Sequence, residues 1–276
     1  MKKKLKHILI HIILITICIF FLVPIIYTIS VSLKSSNTLL SSDFKIIPDD
    51  ATLDNYRIML FEKPFFTWFK NSLLLTLSTV MFAMTIALPT AYAYTRMKFK
   101  GKSLSLFALL LLNAFPSILA MVAIYRLFKT FSMMNSYGGL IVVYTGGMII
   151  FSTWNLKGYF ESIPVDVEQA AMIDGANNFT IIIKIILPLA RPAIIVTGMM
   201  IFITTWNEYI YAVNFLTDIN KYTLAAGLYS LQGTDYTRNW PVFAAGSILT
   251  SIPTLIIFFG IQRYLVSGLT AGGVKY

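Results

Sequence analysis

The sequence predicts an all-α, polytopic membrane protein with six transmembrane helices, and three observations carry that prediction. The first is composition: of 276 residues, 57% are hydrophobic and only 12% are charged, with a mean hydropathy of +0.74. A soluble domain of this length cannot hide so much apolar side chain behind so few charges, so lipid is part of the solvent. The second is length: six stretches reach the ~20 mostly apolar residues that a helix needs to cross the hydrocarbon core. The third is the placing of Lys and Arg, which gather in alternate connecting segments as cytoplasmic loops do. The net charge of +10 does not point to nucleic acid, because the cations sit in short clusters between apolar runs rather than on a polar face.

The first span, 8–33, follows Lys2, Lys3, Lys4 and Lys6 and contains Pro24. It is longer than the ~7–15-residue core of a signal peptide and no Ala-x-Ala site follows it, so it reads as an uncleaved anchor. A polar outer loop with Pro48, Asp49, Asp50 and Pro64 leads to the second span, 68–95. There Ala83, Ala87 and Ala91 have the small-xxx-small spacing of a close helix contact, within the subunit or with a partner. Arg96, Lys98, Lys100 and Lys102 form a compact basic loop before spans 104–128 and 138–160. A large inner loop, 161–191, precedes the fifth span, 192–216. An outer loop over 217–240 precedes the last span, 241–266, and a tail, 267–276. Gly and Pro within these stretches (Pro89, Pro116, Pro253, Gly198, Gly246) are tolerated in membrane helices. With the amino terminus in the cytoplasm, the inner segments hold thirteen Lys and Arg against four acids, and the outer segments nine against seven. Both termini are then cytoplasmic, and residues 1–276 form a single transmembrane domain.

The large inner loop is the most informative segment. Pro164 suits a first helical turn, and Asp166 and Glu168 lie where the helix dipole favours acids. Ala170 and Ala171 form helix while letting another surface approach closely. Gly175 suits a left-handed cap, and Asn177 or Asn178 can start a second helix. Phe179, Ile182, Ile183 and Ile186 recur as an apolar stripe on that helix, which Pro188 and Pro192 are expected to end. A short helix, a glycine turn and a second helix make either a docking surface or an amphipathic hairpin lying on the membrane.

Ala170, Ala171, Gly175, Ile185, Leu187 and Pro188 together match one signature. The segment resembles the Glu-Ala-Ala loop of permease subunits in ATP-binding-cassette importers. The resemblance implies a type I importer permease fold, in which this loop forms coupling helices that dock in a cleft of the ATPase subunit. Carried over, the ATPase-coupling positions are Glu168, Gln169, Ala170, Ala171, Asp174, Gly175, Ile185, Leu187 and Pro188. The family's leading Glu falls at Gln169, which can hydrogen-bond but not form an ion pair. Trp206, Asn207, Glu208 and Tyr209 resemble the carbohydrate-uptake branch and are candidates for the translocation path or its gate. The run from Gln262 to Lys275 is similar to the smaller permease of maltose and maltodextrin importers. It implies a tail contact with the ATPases through Gly272, Gly273, Val274 and Lys275. It also implies an outer loop, with Tyr229, Gln232, Gly233 and Tyr236, that meets a sugar-binding protein. The implied assembly, in a bacterial cytoplasmic membrane, has a second permease subunit, two ATPase subunits and an external binding protein. The implied activity is ATP-driven import of an oligosaccharide, maltose or maltodextrin or else another such as a galacto-oligosaccharide, by alternating access. ATP is hydrolysed by the partners, and this subunit needs no cofactor.

Other chemistry is thin. Gly101-Lys102-Ser103 ends like a phosphate-binding loop, but Arg96 stands where the first glycine belongs. Cys18 is alone, and His7 and His11, four apart, have no third metal ligand nearby. A proton-coupled secondary transporter would need a relay of intramembrane ionisable groups, and Glu208 is the one acid within a span. Its alternative role is a structural hydrogen bond to a neighbouring helix. An intramembrane enzyme would need a Ser/His, paired-Asp or His/Glu site, and none is present.

Overall fold

The computed structural model describes residues 2–35, 45–233 and 239–271. Its helices run α1 (Lys2–Ser32), α2 (Asp54–Arg57), α3 (Phe65–Arg96), α4 (Lys102–Ala114), α5 (Ser117–Thr130), α6 (Tyr137–Ser162) and α7 (Val165–Ile173). They continue as α8 (Asn178–Ile181), α9 (Leu187–Leu189), α10 (Arg191–Trp206), α11 (Ile210–Phe215), α12 (Leu224–Ser230) and α13 (Trp240–Ala271). Wider π turns extend α2 over Ile58–Glu62 and join α8 to α9 over Ile182–Ile186. Among the described residues no strand is present beyond an isolated antiparallel bridge between Lys34 and Ala51. The chain divides into two compact units, one of residues 1–67 with 227–252 and one of residues 68–226 with 253–276.

Among the described residues, four helices are long and apolar enough to cross a membrane: Lys4–Ser32 within α1, α3, α6 and Trp240–Tyr264 within α13. Two further spans arise if each of two bent helix pairs counts as one. The expected span 104–128 is one such pair, broken between α4 and α5. Pro116 has no N–H to continue the ladder and drives Phe115 into an extended conformation, φ −73° and ψ 130°. The expected span 192–216 is also interrupted. Its helix α10 stops at Trp206, and α11 begins at Ile210 after three intervening residues.

In the first unit, Asn55 is buried and its Nδ2 donates to the carbonyls of Ser32 and Lys34, at 2.9 and 2.8 Å. The Tyr56 hydroxyl lies 2.8 Å from that of Ser32. A Cβ on Gly246 would sit 2.5 Å from Leu228 Cδ2, so only glycine lets α13 approach so closely there. In the second unit, the core joins Ala83, Ala87, Ala91 and Tyr92 of α3 to Leu156 and Phe160 of α6. Ala171, Ile181, Ile186, Ala190 and Ile201 complete the same cluster. The alanine stripe of α3 therefore serves packing within the subunit, and it packs against the 161–191 loop.

Candidate functional site

The loop builds as its local chemistry dictates. Pro164 stands at the N-cap of α7, with Asp166 and Glu168 in the first turn. The helix ends in a Schellman motif: the Gly175 amide donates to the Met172 carbonyl and the Ala176 amide to that of Ala171, at 3.0 and 2.9 Å. Gly175 takes φ +84°, as such a cap requires. Asn177 then caps α8, its side-chain oxygen accepting from the Thr180 amide at 2.8 Å.

Two faces result. Ala171 and Glu168 are buried, whereas Gln169, Ala170, Asp174 and Gly175 are exposed. Ile173 is 87% exposed, Phe179 74% and Met172 49%, so an apolar knob surrounds the glycine turn. The expected stripe is thereby corrected. Ile181 and Ile186 are buried and Ile182 is partly so, while Phe179 and Ile183 face outward. The π turn over Ile182–Ile186 adds a residue to the helical repeat, so a stripe drawn at 3.6-residue spacing leaves the core. That wide turn also lets the helix pass Pro188, whose missing N–H it absorbs. The helix breaks at Ala190 instead, where the axis bends by 76° into α10. Ile185 and Leu187 are partly buried and Pro188 is exposed.

Glu168 is 3% exposed and turns away from the knob. Its Oε1 accepts from Arg96 Nε at 2.5 Å, and its Oε2 from the Tyr92 hydroxyl at 3.1 Å. Arg96 Nη2 also donates to the Ile163 carbonyl at 2.7 Å, just before α7. A buried carboxylate is stable only when paired and hydrogen-bonded, and this one is both. Sequence reading missed the joint. Arg96 reads as a topology marker, and its partner lies 72 residues away.

Glu208 lies in the interruption between α10 and α11. Its Oε2 accepts from the Tyr144 hydroxyl at 2.5 Å and its Oε1 from the Tyr211 amide at 2.8 Å. It thus caps α11 and ties it to α6. Trp206 is buried, stacked on Phe202 with centroids 5.4 Å apart and edge-on to Phe69 at 5.8 Å. Asn207 and Tyr209 are exposed, and Asn207 Nδ2 donates to the Ile203 carbonyl at 2.9 Å.

In the segment 217–240, Tyr229 and Gly233 are exposed and Gln232 is partly buried, while Tyr236 lies outside the described residues. So do Gly272, Gly273, Val274 and Lys275 of the tail. Among the described residues no group of three or more His, Cys, Asp or Glu could hold a metal ion.

The sequence profile of the binding-protein-dependent transport system inner membrane component matches residues 80–271. The chain belongs to that family. The Vibrio parahaemolyticus maltose/maltodextrin transport system permease protein MalG is 37% identical, with 91% of this chain and 90% of MalG covered. The Bacillus subtilis galactooligosaccharides permease GanQ is 36% identical, covering 91% of this chain and 89% of GanQ. In fold, the chain is similar to a bacterial transporter involved in alginate import, with TM-score 0.79 and 24% identity over 95% of this chain and 96% of the other. The family member described here is therefore a multi-pass inner-membrane permease subunit, not itself an enzyme.

Proposed function

We propose that this permease subunit translocates an oligosaccharide, maltose or maltodextrin, across the bacterial cytoplasmic membrane by alternating access. It crosses the membrane six times within one domain, with both termini in the cytoplasm. It pairs with a second permease subunit and two ATPase subunits, and an external binding protein delivers the sugar. ATP binding closes the ATPases, the α7 segment moves with them, and the path reopens outward. One observation carries this reading: the knob of Met172, Ile173 and Phe179 held beyond a glycine-capped turn, with Gln169, Ala170, Asp174 and Gly175 exposed beside it. Small and apolar groups around a fixed turn suit a cleft on another protein, and the family membership supports an ATPase as that protein.

The remaining sites follow from this assembly. Glu168 holds α7 in place for docking, while Ile185, Leu187 and Pro188 hold the second helix. Asn207 and Tyr209 line the path, and Trp206 and Glu208 steady its gate. Tyr229, Gln232, Gly233 and Tyr236 meet the binding protein, and Gly272, Gly273, Val274 and Lys275 reach the ATPases. The likeness to GanQ supports a second reading, a galacto-oligosaccharide as cargo.

The test is co-purification in mild detergent followed by ATPase assays with a sugar panel. An ATPase and a second permease should accompany the chain, with activity stimulated by a binding protein loaded with maltodextrin. Stimulation by galacto-oligosaccharide alone selects the second reading, and a chain that brings down no ATPase overturns both.

A further inference from the structure

Helix α3 makes long-range side-chain hydrogen bonds at its two ends, and they reach different parts of the chain. At the end that carries Arg96, Tyr92 and Arg96 hold Glu168 of α7, and Arg96 also holds the carbonyl of Ile163. At the other end, Trp68 Nε1 donates to the Ile219 carbonyl at 2.8 Å. Asn71 Nδ2 donates to the carbonyls of Asn220 and Tyr222, at 2.8 and 2.9 Å. The Ser72 hydroxyl accepts from the Leu224 amide at 2.8 Å, at the start of α12. Trp68, Asn71 and Ser72 are all buried. Four backbone groups of the 219–224 loop, the carbonyls of Ile219, Asn220 and Tyr222 and the amide of Leu224, are thus gripped by one face of one helix. From Trp68 to Arg96 that helix is about 42 Å long at 1.5 Å per residue.

Between the joints the helix is braced. Pro89 removes one backbone hydrogen bond and would loosen a free-standing helix. Ala87 and Ala91 flank it, both fully buried in the core cluster with Ala171 and Ile186. The weak point is therefore splinted by the inner loop itself. The covalent routes out of α7 are not continuous helix. One passes through the extended Ile163 and Pro164, the other through the glycine turn and the bend at Ala190.

We propose that α3 is the connecting rod of the subunit: Arg96–Glu168 at one end and Trp68, Asn71 and Ser72 at the other make a displacement of α7 and a displacement of the 219–224 loop the same event. This rests on the importer reading above and deepens it. A binding protein touching the outer loop and an ATPase touching the inner one then communicate through this helix, and the end residues are positioning residues for both.

The experiment is a double-mutant cycle on the whole transporter in proteoliposomes, with Asn71→Ala, Glu168→Gln and both together. The quantity read is the ratio of binding-protein-stimulated to basal ATP hydrolysis, alongside the yield of assembled complex. If α3 is the rod, each single change lowers the ratio about threefold and the double lowers it no further, because either break disconnects the same part. Trp68→Phe, which keeps the ring and loses the N–H, repeats the effect if Asn71→Ala does not assemble. Independent effects that multiply to about ninefold, with assembly intact, overturn the rod and leave the importer reading standing. A wild-type chain whose complex contains no ATPase overturns the importer reading itself, and the rod with it.

Discussion

Glu168 and Glu208 are two carboxyl groups in a chain otherwise poor in acids, and the protein stabilises them in different ways. Each accepts a hydrogen bond from a tyrosine hydroxyl, Tyr92 in one case and Tyr144 in the other. Glu168 adds a guanidinium: the pair has side-chain exposures of 14% for Arg96 and 4% for Glu168. Glu208 instead uses backbone, capping α11 through the amide of Tyr211. The first arrangement is a point-to-point tie between two helices. The second is local, for it repairs the interruption that Glu208 itself occupies. A charge pair is strong but fragile, because losing one member strands the other. A backbone cap is weaker but survives a change of side chain that keeps an acceptor.

The contrast can be broken from either side. The largest effect is expected for Arg96→Ala, which leaves Glu168 buried without its cation and costs about 3–5 kcal/mol. Unfolding of the purified subunit in detergent measures this loss. The double variant Arg96→Met with Glu168→Leu should recover most of it, since an apolar pair of similar size often replaces a buried ion pair without loss. Failure to recover would mean that the Ile163 carbonyl, left unpaired, dominates. Next comes Tyr144→Phe, which removes the hydroxyl from Glu208 and is expected to cost about 1.5–3 kcal/mol, as for hydrogen bonds to charged groups. Tyr92→Phe should cost less, since Arg96 remains on Glu168; the reverse order would erase the distinction between the two sites. Glu208→Gln should be milder still, about 1 kcal/mol, because the amide oxygen can still cap α11. Sugar uptake read beside it sharpens the assignment: uptake lost beyond assembly marks a gate, and equal losses mark a purely structural cap. The smallest change is Asn177→Ala, about 1 kcal/mol or less at an exposed N-cap, read as a lowered unfolding midpoint with the complex still formed.

What the sequence made legible follows the same division between local and distant. The helix start at Pro164, the cap at Asn177, the turn at Gly175 and the alanine stripe of α3 depend on neighbours within a few residues; the structure has them where expected, with Pro164 one position earlier, at the N-cap. Residues 104–128 look continuous because membrane helices tolerate proline, yet Pro116 and the extended residue before it divide them. The Phe179 stripe fails because one π turn shifts the register, and nothing in a run of five isoleucines and a lysine distinguishes a π turn from an α turn. Arg96 with Glu168, Tyr144 with Glu208, and Asn71 with Asn220 are pairs separated by 64 to 149 residues. Single polar residues can be picked out of the sequence, as Glu168 and Glu208 are, but their partners cannot, because partner choice is settled by tertiary packing.

The turn at Gly175 has a stereochemical consequence. Nothing lies within 4 Å of where a Cβ would sit, and φ is +84°. The position therefore selects for handedness and not for size. An L-alanine would fit the space and still cost about 1–2 kcal/mol through its own backbone. Its mirror image has the opposite preference, so a D-alanine introduced by peptide ligation would take this φ at ease. It would also leave the unfolded chain fewer conformations than glycine does, and should hold the turn more firmly than the natural residue. Chirality at a single α-carbon would then set how stiffly the subunit presents its apolar knob.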